Sequence, residues 1–190
     1  MCEPDDTDLV ARLQRGEASA FEVLFERHHA ALRRTALTFV STLASADEVV
    51  QDTWLAVVDG VHGFEGRSTI KSWIFGILIN RAKTRGVREG RCVPISALSA
   101  RDTACCDHER SRVETPKQRL LRKELAGALE AAILGLPERQ RAIVVLRDAL
   151  GWSPQDVRHL LDVNELNQRV ILHRARTRLR ARLEQFRASG

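Results

Sequence analysis

The residues best placed to do chemistry are charged, and they are segregated along the chain. Between 71 and 91, Lys71, Arg81, Lys83, Arg85, Arg88 and Arg91 stand against Glu89 alone. Between 158 and 187, Arg158, Arg169, Arg174, Arg176, Arg178, Arg180, Arg182 and Arg187 stand against Asp162, Glu165 and Glu184. Acids collect elsewhere: Glu3, Asp5, Asp6 and Asp8 near the start, and Asp47, Glu48, Asp52 and Asp59 within 47–60, neither stretch containing a base. The chemistry such clusters do is electrostatic. Basic surfaces attract a polyanion, although either cluster taken singly also fits a solvated helix face.

No catalytic or metal centre is spelled out. A metal-dependent nuclease needs a second carboxylate cluster to match the acids at 47–52, and none is present. His173 has no nucleophile or carboxylate placed beside it to make it a general base. Cys105-Cys106-Asp107-His108 has ligand-type residues, but zinc sites usually space their cysteines by about two to four residues, so reduced, exposed thiols are expected. No cofactor is implied.

The chain has 190 residues and a formal charge of +5, with 29% charged and 44% hydrophobic residues. That is ordinary globular usage, enough for one domain or two small ones. No apolar run reaches the ~20 residues of a membrane helix, and acids rather than a basic, apolar leader follow Met1. Cys2, Cys92, Cys105 and Cys106 lack framework spacing. A reduced, cytoplasmic protein with no membrane contact is expected.

The elements that must position these charges read as helices. Gly16 ends a first short one; Ser19 and Glu22 have the spacing of a capping box, and Phe21, Leu24, Phe25, His28, Leu32 and Ala36 follow at helical steps. Ser45 and Glu48 make a second box, leading Val49, Val50, Thr53, Trp54, Val57 and Val61. The glycines from Gly60 to Gly66 break that helix, and Ile70, Trp73, Ile74, Ile77 and Leu78 give the apolar face of a fourth. From Arg88 to Pro116 periodicity disappears, over a stretch too long for a loop inside one compact domain. Helical signal resumes with Leu120, Leu121, Leu125, Leu129 and Ile133, stops at Gly135, restarts behind Pro137 and stops again at Gly151. No strand alternation appears. The expected fold is all-α, two small helical domains joined by a flexible linker: an N-terminal helical bundle over 1–88, a linker over 89–116, and a C-terminal domain over 117–190.

The last forty or so residues read as a helix-turn-helix. Ser153 can cap a short helix with Pro154 first and Val157, Leu160 and Leu161 inward. Asp162, Val163 and Asn164 make the turn, and Asn164 can cap a long final helix carrying Val170, Leu172, Ala175, Leu179, Leu183 and Phe186 on one side and arginines on the other. A basic second helix of this kind enters the major groove, where Asn167, Gln168, Ile171 and Arg174 could face base edges. Arg176, Arg178, Arg180 and Arg182 alternate, so they cannot share one face; several must meet phosphates or solvent.

The whole chain resembles the bacterial sigma-70 family in its extracytoplasmic-function (ECF) form. Leu136-Pro137-Glu138-Arg139-Gln140-Arg141, Leu146-Arg147-Asp148, Gly151-Trp152-Ser153 and Leu172-His173-Arg174-Ala175-Arg176 are similar to its fourth region. Ala20-Phe21 through Arg33, Ala46 to Trp54, and Phe64 to Ile74 are similar to its second. Two departures stand out. Asp162 occupies the turn position usually held by Gly, and Asn164-Glu165-Leu166-Asn167-Gln168-Arg169 replaces the usual Ser-Glu-Gly-Thr-Val-Lys, so no base preference carries over.

The resemblance implies a promoter-specificity subunit of RNA polymerase with no catalytic task of its own. Asp47, Glu48, Gln51, Asp52 and Trp54 would dock on core polymerase. Phe64, Lys71, Asn80, Arg81, Lys83, Arg85 and Arg88 would bind and help open the −10 element, with Asn80 at a position tied to a flipped base. Asn167, Gln168, Arg169, Ile171, His173, Arg174, Arg176 and Arg178 would bind the −35 element. An anti-sigma factor is a further implied partner, with any zinc lying in that partner. An autonomous helix-turn-helix regulator explains residues 120–187 but leaves the helices of 19–88 without a task.

Overall fold

In the computed structural model, residues 6–89 and 116–189 are described; Cys2, Cys92, Cys105 and Cys106, and all but the two ends of the expected linker, lie outside them. The chain divides into two compact units, Met1–Ser99 and Ala100–Gly190, and the described residues are helical with no strand.

The first unit comprises α1 (Asp6–Gln14), α2 (Ala18–Ala36), α3 (Leu43–Gly60), a single 3-10 turn at Val61–Gly63, and α4 (Ile70–Glu89). Its core is aliphatic. Leu9, Leu24 and Leu32 meet Val50 and Val57 of α3 and Ile70, Ile74, Leu78 and Ile79 of α4, all 1% exposed or less. Phe75 is the largest fully buried side chain, although the spacing expected Trp73 and Ile77 on that face; both are only half-buried. The packing stripe of α4 is rotated by about one residue, 100°, from the stripe the sequence suggests.

Neither expected capping box forms. The cap of α2 is Glu17, whose carboxylate is held by Arg12 and Arg15, and Ser19 Oγ instead accepts from Arg12 at 3.0 Å. The cap of α3 is Thr42, which accepts from the Ser45 amide at 3.1 Å, and this leaves Glu48 a full turn inside the helix. Both helices begin before the residues that look like their starts: at α3 the Thr42 hydroxyl takes the cap one turn upstream, while at α2 Arg12 engages both Ser19 and Glu17 and no side chain caps the helix. Gly86 is where α4 crosses the chain after α2: a Cβ there would collide with the Phe39 carbonyl oxygen. Gly86→Ala is therefore expected to destabilise the protein by ~1–3 kcal/mol through overpacking, read as a lower midpoint in chemical denaturation.

The second unit comprises α5 (Pro116–Leu134), α6 (Glu138–Val144) running into a π turn at Val145–Ala149, α7 (Pro154–Leu161) and α8 (Glu165–Ser189). Ala132, Leu136, Val144, Ala175 and Leu179 form a buried cluster flanked by Ile133 and Leu172, while Ile143, Leu146, Trp152 and, on α7, Val157 are also buried. Ser153 accepts from the Asp156 amide at 3.1 Å and donates to its carboxylate at 2.6 Å. Asp162 takes the left-handed conformation, φ 52°, and Asn164 Oδ1 accepts from the Asn167 amide at 2.8 Å. The helix-turn-helix is built with the caps its residues suggest.

Candidate functional site

Neighbouring residues of α3 point about 100° apart around its axis, and this splits the acidic stretch between two faces. Asp47, Gln51 and Trp54, three and four residues apart, line an open cleft of about 550 Å³ with Phe21, Phe25, His29, Arg33, Leu55 and Val58. Trp54 forms its floor, 6% exposed, edge-on to Phe21 with ring centroids 5.4 Å apart and 5.3 Å from Phe25. Its indole N–H donates to His29 Nδ1 at 3.3 Å, and His29 stacks on Phe25 at 4.3 Å. Asp47 accepts from Arg33 through both oxygens at 2.6 and 3.3 Å. Around the floor, Leu55 and Val58 stand 58% and 52% exposed.

Glu48 and Asp52 face α4 instead. They line a second depression of about 440 Å³ with Val49, Asn80, Arg81, Thr84, Arg85 and Arg88. Arg85 bridges Glu48 at 2.6 Å and Glu89 at 3.0 Å, and Arg81 lies 3.8 Å from Asp52. The bond to Glu89, then the field of Glu48, raises the Arg85 pKa. Burial of Glu89 opposes its ionisation, but hydrogen bonds from Ser45, Ser41 and Arg85 win and hold its carboxyl below the ordinary value. The resemblance gives Glu48 and Asp52 to the polymerase and Arg81 and Arg85 to DNA; the structure pairs them with each other. Such exposed pairs are weak and screened by salt, so an incoming phosphate or cation can open them. Asn80 and Arg88 are exposed and Lys83 half-buried, none with a side-chain bond among the described residues. Phe64 and Lys71 lie at the opposite end of α4 from these, with Phe64 packed on Trp73 at 5.2 Å.

On α8, Gln168 corrects the sequence reading. It is 4% exposed, on the same face as the buried Ala175 and Leu179, so it cannot present its amide to a groove; Ile171 is half-buried. The residue is polar, and a polar type at an inward position gave the wrong phase. Asn167, His173 and Arg174 remain exposed, joined by Leu166 and Val170, which the sequence reading left out of the site. Several arginines are already engaged. Arg176 makes a two-point bond to Asp148 at 2.9 and 2.6 Å, which raises its pKa through that hydrogen bond. Arg178 donates to Gln140 at 3.0 Å, Arg169 pairs with Glu165 at 2.5 Å, and Arg182 reaches the Ala132 carbonyl at 3.4 Å. Arg174 and Arg180 are exposed and make no such bond among the described residues. Among the described residues no three His, Cys, Asp or Glu side chains could hold a metal ion, and no helix is long and apolar enough to cross a membrane.

Comparison with known proteins fits these two helical units. Residues 24–92 match sigma-70 region 2 and residues 126–179 match sigma-70 region 4. The RNA polymerase sigma-H factor of Pseudomonas aeruginosa is 30% identical over 159 residues, covering 83% of this chain and 82% of that protein. The ECF RNA polymerase sigma factor SigM of Mycobacterium tuberculosis is 32% identical over 177 residues, covering 93% of this chain and 84% of that protein. Among solved structures, CnrH in complex with the cytosolic domain of CnrY superposes with a TM-score of 0.65 at 24% identity, covering 95% of this chain and 97% of that one. The sigma factor RpoE in complex with the anti-sigma factor NepR from Bartonella quintana gives 0.63 at 24%, covering 86% and 96%. The chain belongs to the sigma-70 family, in its ECF group, and is an alternative sigma factor.

Proposed function

We propose that the first unit docks on core RNA polymerase through the α2–α3 cleft and engages the −10 element through α4, and that the second unit binds the −35 element through α8. Region 2 then spans 1–88, the linker 89–116 and region 4 117–190. The observation that carries this reading is the cleft: an aromatic floor with an exposed aliphatic rim, edged by the Arg33–Asp47 pair, suits the apolar face of an amphipathic helix. Asn80, Lys83 and Arg88 offer an amide and uncommitted cations to a separated strand. The protein works by binding rather than by a reaction of its own, and acts in the cytoplasm beside the polymerase. An anti-sigma partner covers the cleft when the protein is held inactive.

The experiment is DNA binding by the assembled holoenzyme. Arg174→Ala is expected to relax base selection within the −35 duplex by about tenfold, the loss of one bidentate base contact. Arg180→Ala is expected to weaken all sequences alike and to lower the salt slope by about one phosphate's share, ~0.9. Equal, sequence-independent losses in both variants contradict base reading by α8, and a chain that fails to co-purify with core polymerase contradicts the docking cleft.

A further inference from the structure

We propose that Leu166 and Val170 read thymine 5-methyl groups in the major groove of the −35 duplex, so that this chain selects its upstream element partly by apolar contact. The proposal rests on the assignment of α8 to that duplex. The inward face of α8 is fixed by Gln168, Ala175 and Leu179, at 4%, 0% and 9% exposed. The outward face of its first turns then carries Leu166, Asn167, Val170 and Arg174. Leu166 is 76% exposed, the most of any described large hydrophobic residue, and Val170 is 45% exposed one turn on.

Leu166 and Val170, about one turn apart on the leading turns of α8, leave an apolar pair that a partner can cover. Their neighbours say what does. Arg169, His173 and Arg174 surround the pair, and Arg174 is uncommitted, so the complementary surface is an anion with an apolar patch set into it. DNA has that character in the major groove. Phosphates line its walls, and thymine alone among the bases presents a methyl group on its floor. The N-terminal residues of a second helix in this motif are also the ones that reach base edges. With Gln168 turned inward, the position that could have bonded an adenine edge is lost, and the flanking aliphatics take over the contact.

The test uses holoenzyme assembled from the full chain and core polymerase. A duplex pool randomised across the −35 element is enriched for binding, and each enriched thymine is then replaced by deoxyuridine, which lacks only the 5-methyl. Binding is expected to fall about fourfold per contacted methyl at one or two positions. Leu166→Ala and Val170→Ala should bind the thymine duplex more weakly and lose most of the thymine-over-uracil preference at those positions. Leu166→Gln, which keeps the side chain's reach without its apolar end, should behave as Leu166→Ala. Enriched sequences with no uracil-sensitive thymine, or a preference that survives in all three variants, overturn the proposal. So does a Leu166→Ala protein that loses core assembly while keeping uracil sensitivity, because that outcome gives the face to a protein partner. Failure to enrich any −35 sequence overturns the assignment of α8 itself and is distinct from these results.

Discussion

Trp54→Ala is expected to destabilise the protein by ~3–5 kcal/mol, the usual cost of deleting a large buried aromatic. The ring is 6% exposed and is the shared neighbour of Phe21 and Phe25, so its loss leaves a void beneath both. It also removes the donor to His29 Nδ1 at the cleft floor. Trp54→Phe separates the two effects: it keeps most of the packing, loses the N–H donor, and should cost ~1 kcal/mol beyond the small volume change. Chemical denaturation of the full chain measures both. A Trp54→Ala cost below ~1 kcal/mol would mean that α2 and α3 do not depend on this ring for their packing.

A second large effect should appear in assembly rather than stability. Leu55 and Val58 are 58% and 52% exposed, so replacing both by Glu removes little that holds the fold. If the cleft takes a polymerase helix, the double variant withdraws two apolar contacts and forces two carboxylates toward a desolvated interface. The expected loss in affinity for core polymerase is at least ~100-fold, as for central interface positions, with the denaturation midpoint little changed. Full-strength assembly by a folded double variant would exclude this cleft as the docking surface.

The helical class, the glycine breaks and the helix-turn-helix caps were legible because each rests on local chemistry. Ser153, Asp162 and Asn164 act on their own backbone within a few residues, and the structure shows each as its type suggests. What sequence reasoning missed is tertiary. Thr42 takes the cap of α3 from Ser45, and Arg12, from the preceding helix, draws Ser19 and Glu17 to itself at the start of α2. Phe75 rather than Trp73 fills the core of α4, since periodicity gives a stripe but not its rotation against neighbours. Gly86 carried no visible signal; only the approach of the Phe39 carbonyl explains it.

The site was legible in composition and blurred in phase. Charge runs located both basic helices, but a run does not say which members are already paired. Arg85, Arg81 and Arg176 are met by acids from other helices, through contacts 37, 29 and 28 residues apart in the chain, as the numbering of Glu48, Asp52 and Asp148 shows. Gln168 was read outward because polar residues usually are, and its burial shifted the exposed face onto Leu166 and Val170.

As an alternative sigma factor, this chain gives core RNA polymerase a promoter specificity it lacks. The most direct measurement is transcription in vitro by purified core polymerase on a pool of candidate promoter fragments, with and without the full chain and with no inhibitor present. Discrete start sites are expected that appear only with the chain and share a −35 and a −10 element. A chain that binds core polymerase yet yields no such start sites, or that leaves the transcripts of core alone unchanged, would contradict it.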